Sequence, residues 1–147
     1  MDPARLADLE RRLGYRFRDH ALLERAFTHA SYAHEHPPTE HSEALAFVGD
    51  AALAVVVAER LFADSPRAPV GDLTPRRAAI VSGAALARWA SDLDLGALVR
   101  LGRGEEQTGG RGRESILATT LEAVLGVVYL ESGLEAVRPA VARLAMW

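Results

Sequence analysis

The chain contains no cysteine and no lysine, and all 17 of its basic residues are arginine. Without cysteine it can form neither a disulfide-stabilised scaffold nor a cysteine-ligated zinc site. The absence also fits a reducing compartment, so we expect a cytoplasmic protein.

Long hydrophobic runs are missing as well. We find no apolar segment long enough to cross a bilayer, and charges are scattered through the opening stretch MDPARLADLERR, so we expect no signal peptide there. We therefore expect no membrane partner. The formal charge of −3 does not by itself indicate nucleic-acid binding, although net charge says little about local patches.

Strand patterns are nearly absent, whereas apolar residues recur with helical spacing along most of the 147 residues. The chain is 49% hydrophobic and 25% charged, which is typical of a globular protein with a core. We predict one all-α domain over residues 1–147. The spacing predicts helices over 3–13, 19–29, 42–63, 71–92, 94–98, 113–132 and 134–145.

Local signals refine these boundaries. Ser42 is suited to cap the N-terminus of the third helix, and Gly133 is suited to end the 113–132 helix. Composition predicts two sizeable loops, over 29–41, which contains a Pro-Pro pair, and over 102–113, which is rich in Gly, Arg and Glu.

The stretch SEALAFVGDAAL, residues 42–53, places a carboxylate, Asp50, inside an apolar helix. Burying a carboxylate costs several kcal/mol unless something pairs with it. Helical spacing puts Glu43, Phe47, Ala54 and Val57 on the same face as Asp50. Glu43 lies two turns, about 10 Å, from Asp50, so these two acids do not chelate one ion by themselves.

A second acid, Glu122, interrupts the apolar stretch SILATTLEAVLGVVYLESG, residues 115–133. Ser115, Thr119 and Gly126 share its helical face. Because Ala54 and Gly126 are small, we expect the two helices to approach closely and bring Asp50 near Glu122.

Two neighbouring carboxylates repel unless a proton or a cation lies between them. Mg²⁺ suits such a pair, because it is commonly held by one or two carboxylates together with substrate phosphates. The alternative is that each acid is a structural carboxylate, hydrogen-bonded to arginine or to backbone amides.

Several stretches together resemble the nuclease domain of ribonuclease III over nearly the whole chain. SEALAFVGDAAL is similar to the family signature, usually written NERLEFLGDAVL, and the stretches over 9–32, 71–87 and 101–133 resemble family segments in order and spacing. The resemblance implies a dimeric, all-helical endonuclease that cuts double-stranded RNA with Mg²⁺, or Mn²⁺ as a substitute, leaving 5′-phosphates and 3′-hydroxyls.

The chain departs from the family at the expected metal ligands. The family site has four carboxylates, but Ala46 replaces one in the signature helix and Thr119 replaces one in the later helix. Asp50 and Glu122 remain as the implied catalytic and metal-binding residues, with Glu43 as an outer acid.

Two hypotheses follow from these departures. In the first, the protein is an active enzyme with a reduced site, similar to the mini-ribonuclease III branch, which also lacks a separate double-stranded-RNA-binding domain and acts on structured RNA such as ribosomal RNA precursors. In the second, it is an inactive dimer that binds RNA or a ribonucleoprotein without cleaving it. A purely structural helical subunit is a third possibility, but it leaves both acids unexplained.

The resemblance also assigns roles outside the acids. Phe47 matches the aromatic residue that enters a socket on the partner subunit, so we expect a homodimer. His29 and Ser31 match a region that touches RNA in the family. Arg111 and Arg113 flank the start of the later helix and are candidate phosphate contacts, since duplex affinity depends largely on neutralising backbone charge; the alternative is an exposed arginine loop.

Overall fold

The computed structural model describes all residues from Met1 to Trp147 and contains nine α-helices and no strand. The helices are α1 (Pro3–Leu13), α2 (His20–Ala26), α3 (Ala30–Glu35), α4 (Glu43–Asp64), α5 (Val70–Ile80), α6 (Gly83–Asp92), α7 (Arg103–Gln107), α8 (Glu114–Ser132) and α9 (Leu134–Ala145). Short 3₁₀ turns lie at Leu95–Ala97 and Gly110–Gly112. The all-α prediction is confirmed.

The long helix predicted over 71–92 is wrong, because the chain forms two helices there. Ser82 has an extended backbone, and its hydroxyl accepts a 3.1 Å hydrogen bond from the Ala85 amide. A serine that caps a new helix interrupts the old one, although the apolar spacing continues across the break.

The two predicted loops are also more ordered than expected. The 29–41 stretch contains α3, whose first turn is capped by the His29 side chain, and the 102–113 stretch contains α7 and a 3₁₀ turn. The helix predicted over 94–98 is a 3₁₀ turn. Elements of three to six residues are too short to show a hydrophobic period.

Two helix ends carry the predicted residues. Gly133 ends α8 with a φ of 70°, and its amide donates to the carbonyl of Tyr129. Ser42 does precede α4, but its backbone is already helical and its hydroxyl makes no capping hydrogen bond. Its position was therefore predicted correctly and its capping role was not.

Helix α8 is the centre of the fold and contacts α2, α4, α6 and α9. Eleven of its 19 residues are buried. The helix is long and apolar enough to cross a membrane by length and composition, which corrects the expectation that no such segment exists. However, 61% of its apolar window is buried inside this fold, as in the core helix of a globular domain.

Two glycines set the distance between α4 and α8. A Cβ atom on Gly49 would overlap the carbonyl oxygen of Glu122, and one on Gly126 would overlap the carbonyl oxygen of Leu45. The backbones of the two helices are therefore in direct contact. The close approach at Gly126 was predicted, but its counterpart is Gly49 and not Ala54.

Candidate active site

Asp50 and Glu122 lie near each other where α4 crosses α8. The residue before Asp50, Gly49, touches the backbone of Glu122, and the two carboxylates are close enough for the charge of Asp50 to act on Glu122. The prediction that the two helices bring these acids together is confirmed.

The prediction that Asp50 is buried is wrong, because its side chain is exposed. The buried face of the first turns of α4 carries Leu45, Ala46 and Gly49, whereas Phe47 and Asp50 lie on the outer face. The stretch is apolar on both faces, so spacing alone could not tell which side enters the core.

Glu122 is half-buried, and its ionised form is destabilised by its surroundings. Burial, together with the nearby negative charge of Asp50, raises the pKa of Glu122 from its ordinary value of 4.5 to about 7. Both causes disfavour the charged form, because neither supplies a positive charge. Near neutral pH this carboxyl group therefore retains a proton for much of the time.

Neither acid has a basic partner in the protein. The ten ion pairs of the structure all involve other carboxylates. No hydrogen bond acts to lower the pKa of Glu122. The alternative in which arginine satisfies both acids is therefore wrong for this structure.

The remaining expected ligand positions add no charge. Ala46 is buried, Thr119 is half-buried, and Glu43 is exposed. No group of three or more histidine, cysteine or acidic side chains is arranged to hold an ion, so Glu43 does not join the pair. The site is a two-carboxylate cluster.

This donor set fits Mg²⁺. Two unpaired carboxylates, one exposed and one half-buried, leave room for the waters and phosphate oxygens that Mg²⁺ keeps in its shell. A divalent cation would also compensate the repulsion that raises the pKa of Glu122.

Phe47 lies one turn before Asp50 and is 80% exposed, although it is a large hydrophobic side chain. Val55 and Phe62, further along α4, are also exposed. The helix therefore presents an apolar stripe that the isolated chain leaves uncovered.

His29 and Ser31 belong to a small hydrogen-bonded corner. The Ser31 amide donates to Nδ1 of His29 at 3.1 Å, and the Ser31 hydroxyl lies 2.8 Å from the same atom. The hydroxyl also accepts from the Gly102 amide at 2.8 Å. The corner fixes the start of α3 against the 102–113 segment.

Arg111 and Arg113 are each engaged inside that segment. Arg111 binds the Glu106 carboxylate through two nitrogens, at 2.7 and 2.6 Å, and donates to the carbonyl of Gly96 at 3.0 Å. Its hydrogen bonds hold the pKa of Glu106 below the ordinary value. Arg113 pairs with Glu105. Both arginines therefore support the loop, a role that Glu105 and Glu106, a few residues before them in the sequence, could have indicated.

Gly49 is the positioning residue that sequence reasoning missed. The available signal was a glycine directly before the misplaced aspartate in an otherwise apolar helix. A glycine in a helix interior costs stability relative to alanine, so its presence often has a packing reason.

Comparisons with known proteins identify the family of this chain. A sequence model of the family described as "Ribonuclease-III-like" matches residues 19–146. The chain is 52% identical to Ribonuclease 3 of Streptomyces coelicolor over 92% of its length and 49% of that protein. It is 49% identical to Ribonuclease 3 of Heliobacterium modesticaldum, over 92% of the chain and 59% of that protein. The chain thus spans about half the length of the curated relatives it matches.

The fold has solved counterparts. The nuclease domain of ribonuclease III from Campylobacter jejuni superposes with a TM-score of 0.86 at 38% identity, covering 94% of this chain and 91% of that one. A second structure of that domain, described as structurally flexible in a region involved in dimer formation, gives a TM-score of 0.87 at 39% identity, with 93% of each chain covered. On the sequence match and the shared fold, the chain belongs to the ribonuclease-III-like family.

Proposed function

We propose that this chain is the catalytic part of a ribonuclease III-type endoribonuclease. It cleaves double-stranded or structured RNA, ribosomal RNA precursors among the candidate substrates, in the cytoplasm. The observation that carries the proposal is the pair Asp50–Glu122, two neighbouring carboxylates without a basic partner at a fixed helix crossing. Such a pair is costly for a protein with no cation to bind there.

In this proposal Asp50 and Glu122 hold Mg²⁺, for which Mn²⁺ substitutes. The bound ion would lower the pKa of a water molecule and neutralise charge on the scissile phosphate. Glu122 must release its proton to act as a ligand. Because its pKa is about 7 without an ion, protons would compete with the ion more strongly as the pH falls below neutral. Thr119 would hydrogen-bond a water of the site, and Glu43 would act as an outer acid.

The same proposal includes a homodimer. Phe47, exposed beside the carboxylate pair, would be buried against a second copy, and two-fold symmetry would supply one site for each RNA strand. The C. jejuni domain has a region involved in dimer formation. Light scattering of the wild-type chain at micromolar concentration should give a dimer mass, and Phe47→Ala should shift it towards the monomer. A wild-type monomer would contradict the dimer.

RNA contacts from His29, Ser31, Arg111 and Arg113 remain part of the proposal. Nδ1 of His29 accepts from the Ser31 amide, which leaves Nε2 as the ring nitrogen that could donate to a phosphate. Arg111 and Arg113 would have to share their guanidinium groups between glutamate and phosphate.

The carboxylate pair is tested by Asp50→Asn, which keeps the size of the side chain and removes its charge. We expect RNA cleavage to fall by more than about 100-fold, because an ion ligand is lost. Thermal melts should show that millimolar Mn²⁺ stabilises the wild type but not the variant, by mass action on the folded state. In EDTA the variant should be at least as stable as the wild type, because repulsion is relieved.

The matched control is Asp92→Asn, which neutralises an exposed carboxylate at the end of α6 and should change neither result. Two results together would show that Asp50 is a structural carboxylate. The melting temperature of the wild type would not change when Mn²⁺ is added, and Asp50→Asn would lose much of its stability in EDTA. That outcome would reject the metal site.

An inactive RNA-binding dimer is the second candidate. The observation that favours it is the two-acid cluster itself, because Ala46 and Thr119 supply none of the negative charge on which divalent affinity depends. In that case the wild type binds duplex RNA without cutting it at any Mn²⁺ concentration.

A further inference from the structure

The arginines of the chain fall into two groups. Nine of the 17 form ion pairs with acidic residues, and eight do not. Four of the eight lie in one continuous segment, residues 65–91: Arg67, Arg76, Arg77 and Arg88. Asp72 is the single acidic residue of that segment, which therefore has a formal charge of +3 in a chain whose total is −3.

Helix α5, in the middle of this segment, is unusual because none of its 11 residues is buried. A helix on the surface of a globular domain normally buries one face. Both arginines of α5, Arg76 and Arg77, are exposed, as is Arg67 in the turn that precedes the helix.

One contact links Arg76, in the C-terminal half of α5, to the turn that carries Arg67. Arg76 donates to the hydroxyl of Ser65 at 3.3 Å, two residues from Arg67 in the same turn. Arg77 follows Arg76 and lines a shallow groove between α4 and α5 beside Phe62 and Val70. We call Arg67, Arg76 and Arg77 the α5 basic patch. The hydroxyl of Ser65 is neutral, and none of the three arginines forms an ion pair, although Asp72 lies one turn before Arg76 on α5.

A phosphate backbone is the partner chemistry that this patch fits. Guanidinium groups bind phosphate oxygens in a bidentate manner, and uncompensated charge is what neutralises a polyanion, whereas an arginine paired with glutamate contributes little. Duplex RNA is recognised largely through its backbone and its shape, which suits exposed charges on a helix.

The patch lies away from the carboxylate pair. Helix α5 packs on the C-terminal half of α4, where Leu61 lines the groove beside Arg77, whereas Asp50 lies in the N-terminal half. Eleven residues of helix separate Asp50 from Leu61, which is about 16 Å along the axis. Contacts here would position RNA without touching the cleaved phosphate.

We propose that the α5 basic patch binds the phosphate backbone of duplex RNA at a distance from the phosphate that is cleaved. The inference rests on the proposed function for the identity of the polyanion. If the inference is correct, helix α5 and the turn before it contribute part of the affinity for duplex RNA, in addition to any contribution from Arg111 and Arg113.

The test compares three triple variants. The first changes Arg67, Arg76 and Arg77 to Gln, the second changes the same residues to Lys, and the control changes Arg5, Arg11 and Arg12, which are paired with acids on α1 or beside it, to Gln. Fluorescence anisotropy with a labelled RNA duplex of about 30 base pairs, in EDTA so that nothing is cleaved, gives the affinity at salt concentrations from about 50 to 200 mM.

We expect the patch Gln variant to bind duplex RNA about tenfold or more weakly at about 100 mM salt. The slope of log affinity against log salt should become shallower by about 2 to 3, one unit for each phosphate that the variant no longer neutralises. The Lys variant should keep the slope, because it keeps the charges, and should bind more tightly than the Gln variant although it loses the bidentate contacts of arginine. The control should change affinity less than about twofold, because its charges are already compensated.

Three results would overturn the inference: an unchanged salt slope in the patch Gln variant, an equal loss of affinity in the control, or an equal loss in the Lys variant. Light scattering adds a check on the last result. A Lys variant that loses the dimer together with affinity identifies the patch as a contact between subunits. If the wild type itself does not bind duplex RNA, it is the proposed function that fails.

Discussion

The α4–α8 crossing and the 102–113 segment differ in whether their charged side chains form ion pairs. At the crossing, Asp50 and Glu122 stand together without a basic partner, and the pKa of Glu122 rises to about 7. In the segment, Arg111 and Arg113 are each paired with a glutamate of the same segment. Both regions looked functional in the sequence because both contain charges in unusual places.

Unpaired charges are available to bind a ligand, whereas paired charges stabilise the local structure of the chain. A paired charge contributes to local structure and little to external binding. An unpaired, partly desolvated charge is a cost until a ligand of opposite sign arrives. The arginines of the α5 basic patch are also unpaired, but they are exposed, so they remain available to a polyanion without a comparable cost of burial.

The largest effect should come from breaking the crossing itself with Gly49→Ala. The added methyl group would overlap the Glu122 carbonyl, a backbone atom that cannot rotate away, so we expect a loss of more than about 3 kcal/mol in the free energy of unfolding. Urea unfolding followed by circular dichroism measures it. Gly104→Ala, with open space around its Cβ position, is the control and should change stability by less than about 1 kcal/mol. Equal effects would show that the crossing is not tightly packed.

The second effect is the pH dependence of Glu122→Gln. Below pH 4.5 the carboxyl group is protonated in both the folded and unfolded states, so the variant should gain nothing there. As pH rises from 4.5 to 7, the unfolded chain loses its proton first, so the wild type loses stability, and above about pH 7 the full penalty is present. We expect the variant to be more stable than the wild type by about 2 kcal/mol at pH 8 in EDTA. The gain would be larger for a fully buried carboxylate, but this side chain is partly exposed to solvent.

Thermal melts at pH 4 and pH 8 check this sign. Glu43→Gln removes an exposed carboxylate from the same face of α4 as Asp50 and should shift stability by less than about 0.5 kcal/mol at either pH. A Glu122→Gln variant that is less stable than the wild type at pH 8 would show that the carboxylate is satisfied inside the protein.

The third prediction restores charge to the crossing. Ala46→Glu with Thr119→Asp rebuilds a four-acid cluster, so cleavage at limiting Mg²⁺ should rise by about tenfold, equivalent to about 1.4 kcal/mol of ion affinity. The control, Ala44→Glu with Ala63→Asp, adds the same charges at exposed positions of α4 that lie off the face of Asp50. No gain in a folded double variant would mean that the ion does not limit the reaction.

The smallest effect should come from the paired region. Arg111→Gln removes the bidentate contact with Glu106 and the hydrogen bond to the Gly96 carbonyl, so we expect a loss of about 1 kcal/mol in unfolding free energy. Arg103→Gln is the control, because only the backbone amide of Arg103 makes a contact, to Glu35. If Arg111→Gln lowers the affinity for RNA without changing the free energy of unfolding, Arg111 contacts RNA instead.

The helical fold and the helices of the carboxylate pair could be predicted from the sequence, because apolar spacing over 19 to 22 residues is a strong signal. Helix α1 was predicted at its observed bounds. The division of 71–92 into α5 and α6 could not be predicted in the same way, because the apolar spacing continues across the break. The break depends on one local interaction, the hydrogen bond from the Ala85 amide to the Ser82 hydroxyl.

At the site, the sequence by itself determined which two acids remain and that they lie on two apolar helices. Only the tertiary structure decided that Asp50 is exposed while Glu122 is half-buried, because burial depends on which face of α4 the Gly49–Gly126 contact turns towards α8. It likewise decided that Arg111 and Arg113 are paired while the α5 basic patch is not. The physical reason is that pairing and desolvation depend on distances between segments far apart in the chain, and a one-dimensional pattern of charges does not contain them.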